Sequence, residues 1–125
     1  ELLTKIFIKP WGMPYGYGFQ EFARRHGDFA IAAVGCLLKL QDGVISDIAI
    51  SIGGVEDVPR RFIECEDVLS GSKYDIEEVK KQIIGPLDQI NYIDDSLVTG
   101  SYRQKLLKGL LVRSIEQAAS RANSL

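Results

Sequence analysis

The chain is poor in the residues that usually build a chemical centre. It has one histidine, His26, two cysteines, Cys36 and Cys65, one methionine and one tryptophan in 125 residues. The cysteines form no C-x-x-C pair, so they make no zinc or iron–sulfur site by themselves. Both are expected to be reduced structural thiols, which suits a cytoplasmic setting. No apolar run approaches the ~20 residues that a membrane helix needs, and the N-terminus lacks the charged-then-apolar pattern of a signal peptide. Net charge is −2, and no basic stripe is interleaved with aromatics. A nucleic acid ligand is therefore not expected. No G-x-x-x-x-G-K-[ST] occurs, so there is no P-loop.

Residues 1–125 are of a size to form a single domain with its own core. The chain starts at Glu1, and its lone methionine, Met13, lies in a Pro/Gly loop. We read it as a C-terminal piece of a longer protein. Leu2 to Ile8 is a β-type run, and residues 9–18 form a loop broken by prolines and glycines. Phe19 to Arg25 is expected to make one or two helical turns stopped by Gly27. Asp28–Gln41 and Val44–Ile52 read as strands joined at Asp42-Gly43, a dipeptide that supplies positive φ angles. Arg60 to Phe62 is a further short extended piece.

Helices follow the strands. Ile63 to Leu69 is a short one, and Tyr74 to Ile84 is another, expected to stop at Gly85-Pro86. Ser101 to about Ala122 carries Leu106, Leu107, Leu110, Leu111, Ile115, Ala118 and Ala119 at helical spacing. The expected class is α+β: an antiparallel sheet of three to four strands packed against about three helices.

Each candidate site in the sequence also has a plainer explanation. Gly16-Tyr17-Gly18 begins like a dinucleotide fingerprint, but Glu21 stands where the third glycine belongs and a proline-rich loop precedes it. His26 would have to serve any Ser/Cys–His chemistry, yet its neighbours suggest a solvated turn. Asp94-Asp95 and Glu64/Glu66/Asp67 lack the spacing of a metal loop and read as helix-end charge and solvated faces. The pairs Arg24-Arg25 and Arg60-Arg61 offer guanidinium forks for a phosphate or an acidic neighbour, or make surface ion pairs. Trp11, Tyr15, Tyr17 and Phe19 crowd one loop, which either folds onto its own core or meets a partner.

In order, Phe19, the run Ala23 to Ala30, the Asp42-Gly43 hairpin, Gly53-Gly54-Val55 with Pro59-Arg60, Glu66 and Leu69 with Gly71, Asp94-Asp95, and Ser101-Tyr102-Arg103 with Leu106, Leu110 and Arg113 form a set. That set resembles the C-terminal domain of the FAD-binding (medium) subunit of molybdenum hydroxylases, the carbon monoxide dehydrogenase and xanthine dehydrogenase family. It extends from about Leu3 to Ala119. The resemblance implies a small sheet with three helices. It implies preceding domains of the same subunit that hold most of the FAD. It also implies a molybdopterin large subunit and a small subunit with [2Fe–2S] clusters, which pass electrons to the flavin. The domain would cap the flavin region and would not be catalytic alone. Some family members carry a lysine after the aromatic that matches Phe19, and it approaches the flavin. Here that residue is Gln20, a neutral amide. Gln20 and Arg24 are the residues expected to approach the cofactor in the full subunit. Two other readings stay open: an interaction module using residues 11–19, and a small hydrolase centred on His26.

Overall fold

The computed structural model describes residues 1–123. Four strands, β1 (Gly16–Ala23), β2 (Ala30–Gln41), β3 (Val44–Gly53) and β4 (Arg60–Arg61), form one antiparallel sheet in the order β1-β2-β3-β4. Four helices follow: α1 (Ile63–Leu69), α2 (Ile76–Gln82), α3 (Ile84–Asp88) and α4 (Gly100–Asn123). The α+β expectation holds, with a short fourth helix added.

The β2–β3 hairpin closes where Asp42 and Gly43 take φ of 52° and 77°. Positive φ at both central residues matches the right-handed twist of the strands, which is why an Asp-Gly pair sits there. Along β2, Ala32, Val34, Cys36 and Leu38 are buried, and so are Ile48, Ile50 and Ile52 on β3. These alternate residues face the helices. The helices answer with Phe62, Leu69, Val79, Ile83 and Leu87, and with the α4 stripe Leu107, Leu110, Leu111, Ile115 and Ala118. Burial of each such aliphatic side chain favours folding by about 1.5–3 kcal/mol.

Three expectations are corrected. Phe19 to Arg25 is not helical: it belongs mostly to β1, which pairs with β2 from Gly16↔Leu38 to Ala23↔Ala30. Leu2 to Ile8 forms no strand, and its apolar side chains are exposed. Gly85-Pro86 does not end the helical region. The chain turns at Ile83 and starts α3, where Pro86 falls in the first turn. A first-turn residue has no intrahelical acceptor for its N–H, so proline costs nothing there.

Helix α4 lies across β1 and β2 at close range. A methyl group added at Gly16 would strike the carbonyl oxygen of Ala118, and one at Gly18 the carbonyl oxygen of Ser114. These two glycines let helix backbone touch strand backbone. They are packing residues, and the face that a pyrophosphate would need is filled by α4.

Candidate functional site

The pairing register sorts the candidates by face. One row across the sheet runs Phe19↔Gly35↔Ser51↔Arg61, and its neighbour runs Tyr17↔Leu37↔Ala49. The next row runs Gln20↔Val34↔Ile52↔Arg60, and Val34 and Ile52 are buried beneath the helices. Side chains alternate between faces along a strand. Gln20 therefore belongs to the helix-covered face, where it is half-buried, while Tyr17 and Phe19 stand on the other.

That other face has no helix over it. Phe19 is 58% exposed and Tyr17 55%. Behind Phe19 the sheet offers small side chains, Ala33, Gly35, Ser51 and Gly53, so the floor is flat there, while Leu37 and Ala49 continue it beside Tyr17. Gly35 matters most: a Cβ there would come within 2.9 Å of Ser51 Oγ and 3.9 Å of the Phe19 ring. The result is an apolar shelf with aromatic rings along one side and the Arg61 guanidinium on the far side. Phe29, 94% exposed, stands at one end.

The aromatic loop divides its residues between the two roles left open for it. Trp11 and Tyr15 pack edge to face at 5.7 Å, and Lys39 Nζ lies 4.6 Å from the Trp11 ring while donating to the Trp11 carbonyl at 3.0 Å. Those two rings fold onto the protein itself. Tyr17 and Phe19 are displayed.

The arginine pairs also part. Arg60 donates to Glu56 at 2.6 Å and to Glu64 at 3.0 Å. Arg61 grips Glu66 through Nε at 2.7 Å and NH2 at 2.8 Å. Glu66 Oε1 also accepts the Ile50 backbone N–H at 2.7 Å. Glu66 is only 7% exposed, so the solvated face expected for this cluster is corrected at that residue: it is a buried carboxylate that joins α1 to β3 and β4. By contrast, the Arg24 and Arg25 guanidiniums have no hydrogen-bond or ion-pair partner among the described residues.

Asp94 and Asp95 organise the entry to α4. Asp94 Oδ1 accepts the Gly100 N–H at 2.9 Å. Asp95 Oδ1 accepts from Val98 at 2.7 Å and Leu97 at 2.9 Å, and Oδ2 accepts from Arg103 NH2 at 2.9 Å. The Val98 and Leu97 amides, with Arg103 nearby, hold the Asp95 carboxyl below its ordinary range. No group of three or more His, Cys, Asp or Glu among the described residues could hold a metal ion.

The remaining hydrolytic candidates lack assembly. His26 sits in an exposed concavity with Glu21, Arg25 and Asp28, and no serine, threonine or cysteine lines it. Burial pushes the Cys36 and Cys65 thiols up to about 12, with Glu66 adding to both shifts. Such thiols are inert as nucleophiles near neutral pH. Among the described residues, no helix is long and apolar enough to cross a membrane.

What reading by residue type missed is the exposed pair Tyr17 and Phe19 as members of one surface. The signal was present as strict alternation with Gly16 and Gly18, once the stretch is taken as a strand.

Comparison with known proteins agrees with this architecture. Residues 17–118 match the family model described as the CO dehydrogenase flavoprotein C-terminal domain. The nicotine 6-hydroxylase medium subunit of Paenarthrobacter nicotinovorans is 35% identical over 121 residues, covering 97% of this chain and 42% of that one. The glyceraldehyde dehydrogenase medium chain of Sulfolobus acidocaldarius is 33% identical over 119 residues, covering 95% of this chain and 42% of the relative. Among solved structures, quinoline 2-oxidoreductase from Pseudomonas putida 86 superposes with a TM-score of 0.78 at 27% identity, over 86% of this chain and 38% of that one. Reconstituted CO dehydrogenase from Oligotropha carboxidovorans gives 0.79 at 26% identity, with the same coverage of 86% and 38%. The chain thus spans about two-fifths of the length of the curated relatives it matches. It belongs to the CO dehydrogenase flavoprotein C-terminal domain family, the family of the medium subunits of molybdenum hydroxylases.

Proposed function

We propose that this chain works as the C-terminal domain of the FAD-binding subunit of a cytoplasmic molybdopterin-dependent oxidoreductase. There it walls the flavin region and supports electron transfer from [2Fe–2S] clusters to FAD. Its partners are the preceding FAD-binding domains of the same subunit, a molybdopterin large subunit and an iron–sulfur small subunit. It catalyses nothing alone.

The observation that carries this reading is the uncovered sheet face, with Tyr17 and Phe19 exposed over a floor of Gly35, Ala33 and Ser51. A planar ring system fits a flat apolar shelf edged by aromatics. The rest of FAD does not fit this chain, because α4 fills the space beside Gly16 and Gly18 and no glycine-rich cradle remains for a pyrophosphate. When bound, the flavin supplies the redox chemistry. What this chain's residues do is exclude water from one side of it and fix its position.

In this reading Phe19 is the residue that faces the ring. Gln20 projects from the helix-covered side of the same strand, so it does not face a ring on this shelf, and its uncharged amide serves the neighbouring domain instead. Arg24 lies past the end of β1 beside Phe22, so its role is toward a neighbouring polypeptide.

FAD titration of the chain tests the division of labour. No tight binding is expected, and micromolar or better affinity would contradict it. In the assembled enzyme, Phe19→Ala should alter the flavin absorption spectrum and slow flavin reduction, leaving the iron–sulfur spectrum unchanged. A second reading, an interaction module that uses Tyr17 and Phe19 against a protein surface, would leave the flavin spectrum unmoved by the same substitution.

A further inference from the structure

Residues 2–8 carry large apolar side chains that cover nothing in this domain. Leu2, Leu3, Ile6, Phe7 and Ile8 are between 73% and 87% exposed. Among the described residues, no backbone hydrogen bond joins residues 1–10 to the rest of the chain. Single exposed leucines are ordinary, but a contiguous set of this size marks a contact surface.

The set is patterned. Side chains of an extended chain alternate between two faces. The even positions, Leu2, Thr4, Ile6 and Ile8, are all apolar or β-branched, as a strand face turned toward a core requires. The odd positions, Leu3, Lys5 and Phe7, mix apolar groups with a charge, and Lys5 Nζ lies 5.3 Å from the Phe7 ring centroid. Side chains two residues apart that meet are neighbours on one strand face. Beyond the segment, Trp11 is held by Tyr15 and Lys39, so the chain leaves the domain from a fixed point.

The sheet of this domain does not offer the matching edge. β1 gives its Phe19 N–H to Gln117 and receives Arg121 at the Tyr17 carbonyl, and β4 on the other side is only two residues long. A second copy of the chain would offer the same two edges. The likeness to known proteins points elsewhere. The match to the nicotine 6-hydroxylase medium subunit takes in 121 of the 125 residues, so at most four at the start lie outside it, whereas the C-terminal domain model begins at residue 17. Most of the 2–8 segment is thus shared with a medium subunit without belonging to the domain that this sheet defines.

We propose that residues 2–8 are a β-strand of the preceding domain of the same subunit. The even side chains lie on that domain's core, and residues 9–15 are the crossing between the two domains. Main-chain hydrogen bonds to an edge of the preceding domain's sheet hold the strand, and its alternation selects the face. The inference rests on the proposed function only in taking a preceding domain to exist.

Amide hydrogen exchange read by mass spectrometry tests it, in the full-length medium subunit and in this chain alone. In the chain, residues 2–8 should exchange like an unstructured peptide. In the subunit, purified free of the other subunits, they should exchange at least about 100-fold more slowly. Ile6→Asp should abolish that protection and lower the melting temperature of the subunit by several degrees, while leaving that of the chain unchanged. Lys5→Ala, on the other face, should keep the protection. The unsubstituted subunit gives the decisive reading whether or not the Ile6→Asp subunit folds.

A subunit that holds FAD while residues 2–8 exchange freely overturns the inference alone. So does protection that appears only when a large or small subunit is added. Protection of the isolated chain that rises with its concentration also overturns it, because pairing with a second copy would give that result. Protection in a subunit that binds no FAD keeps the inference and counts against the flavin reading instead.

Discussion

Gln117 accepts the backbone N–H of Phe19 through Oε1 at 3.0 Å, tying α4 to the outer edge of β1. One turn further on, Arg121 donates to the Tyr17 carbonyl at 2.6 Å, with its guanidinium 4.0 Å from the Tyr17 ring centroid. An open strand edge invites pairing with another chain, and here helix side chains occupy it. Gln117→Ala should cost about 1 kcal/mol in chemical denaturation. Combined with Arg121→Ala, it should increase self-association in light scattering. Unchanged stability and unchanged association in the double variant would show that the edge is protected by something else.

Gly18→Ala is expected to destabilise by about 1–3 kcal/mol or more, because the added methyl meets the fixed Ser114 carbonyl. Gly35→Ala is a fair control. Its methyl meets only the Ser51 hydroxyl, at 2.9 Å, which can swing aside. Thermal melts of the two variants should separate clearly, and equal loss would remove the argument that helix contact selects glycine at position 18.

Glu66 joins Arg61 and the Ile50 amide within a nearly closed site. Glu66→Ala leaves that amide without its acceptor and should cost about 1–3 kcal/mol. Glu66→Gln keeps an acceptor for Ile50 and should cost less. Urea midpoints of the pair check the order, and a glutamine variant as weak as the alanine one would place the stabilisation in the Arg61 ion pair instead.

The Asp95 carboxyl is held below its ordinary value of 3.8, first by the Val98 amide and then by Leu97. The folded chain therefore favours the ionised form. Its stabilising effect is complete above the ordinary value and disappears as pH falls through the lower, folded one. Asp95→Asn should flatten the acid limb of a stability–pH curve and leave the shape above pH ~5 unchanged. An acid limb identical to that of the unmodified chain would assign the effect to other carboxylates.

The hairpin and α4 were legible because single residues decide them. Asp42-Gly43 supplies two positive φ angles, and the α4 stripe from Leu106 to Ala119 has one period throughout. The β1 strand was not legible in the same way. Phe19, Phe22 and Ala23 are spaced three and four apart, which imitates a helix, yet Phe19 and Phe22 end on opposite faces of the sheet. The aromatic residues there are exposed, so their spacing carried no information about a core. Leu2 to Ile8 shows the reverse failure: its composition is strand-like, yet it pairs with no strand of the sheet and its apolar side chains stay exposed. The site suffered from the same ambiguity. Gln20 and Arg24 could be named from family likeness, but whether a β1 side chain faces the helices or the open shelf depends on register, a long-range property.

The alternation along β1 has a practical corollary. Positions 16 and 18 answer to the helix backbone pressed against them and the Tyr17 ring still meets Arg121 of that helix, whereas the Phe19 ring answers to whatever lies outside. Mutational libraries confined to position 19 therefore retune what this sheet recognises while leaving the folding problem untouched.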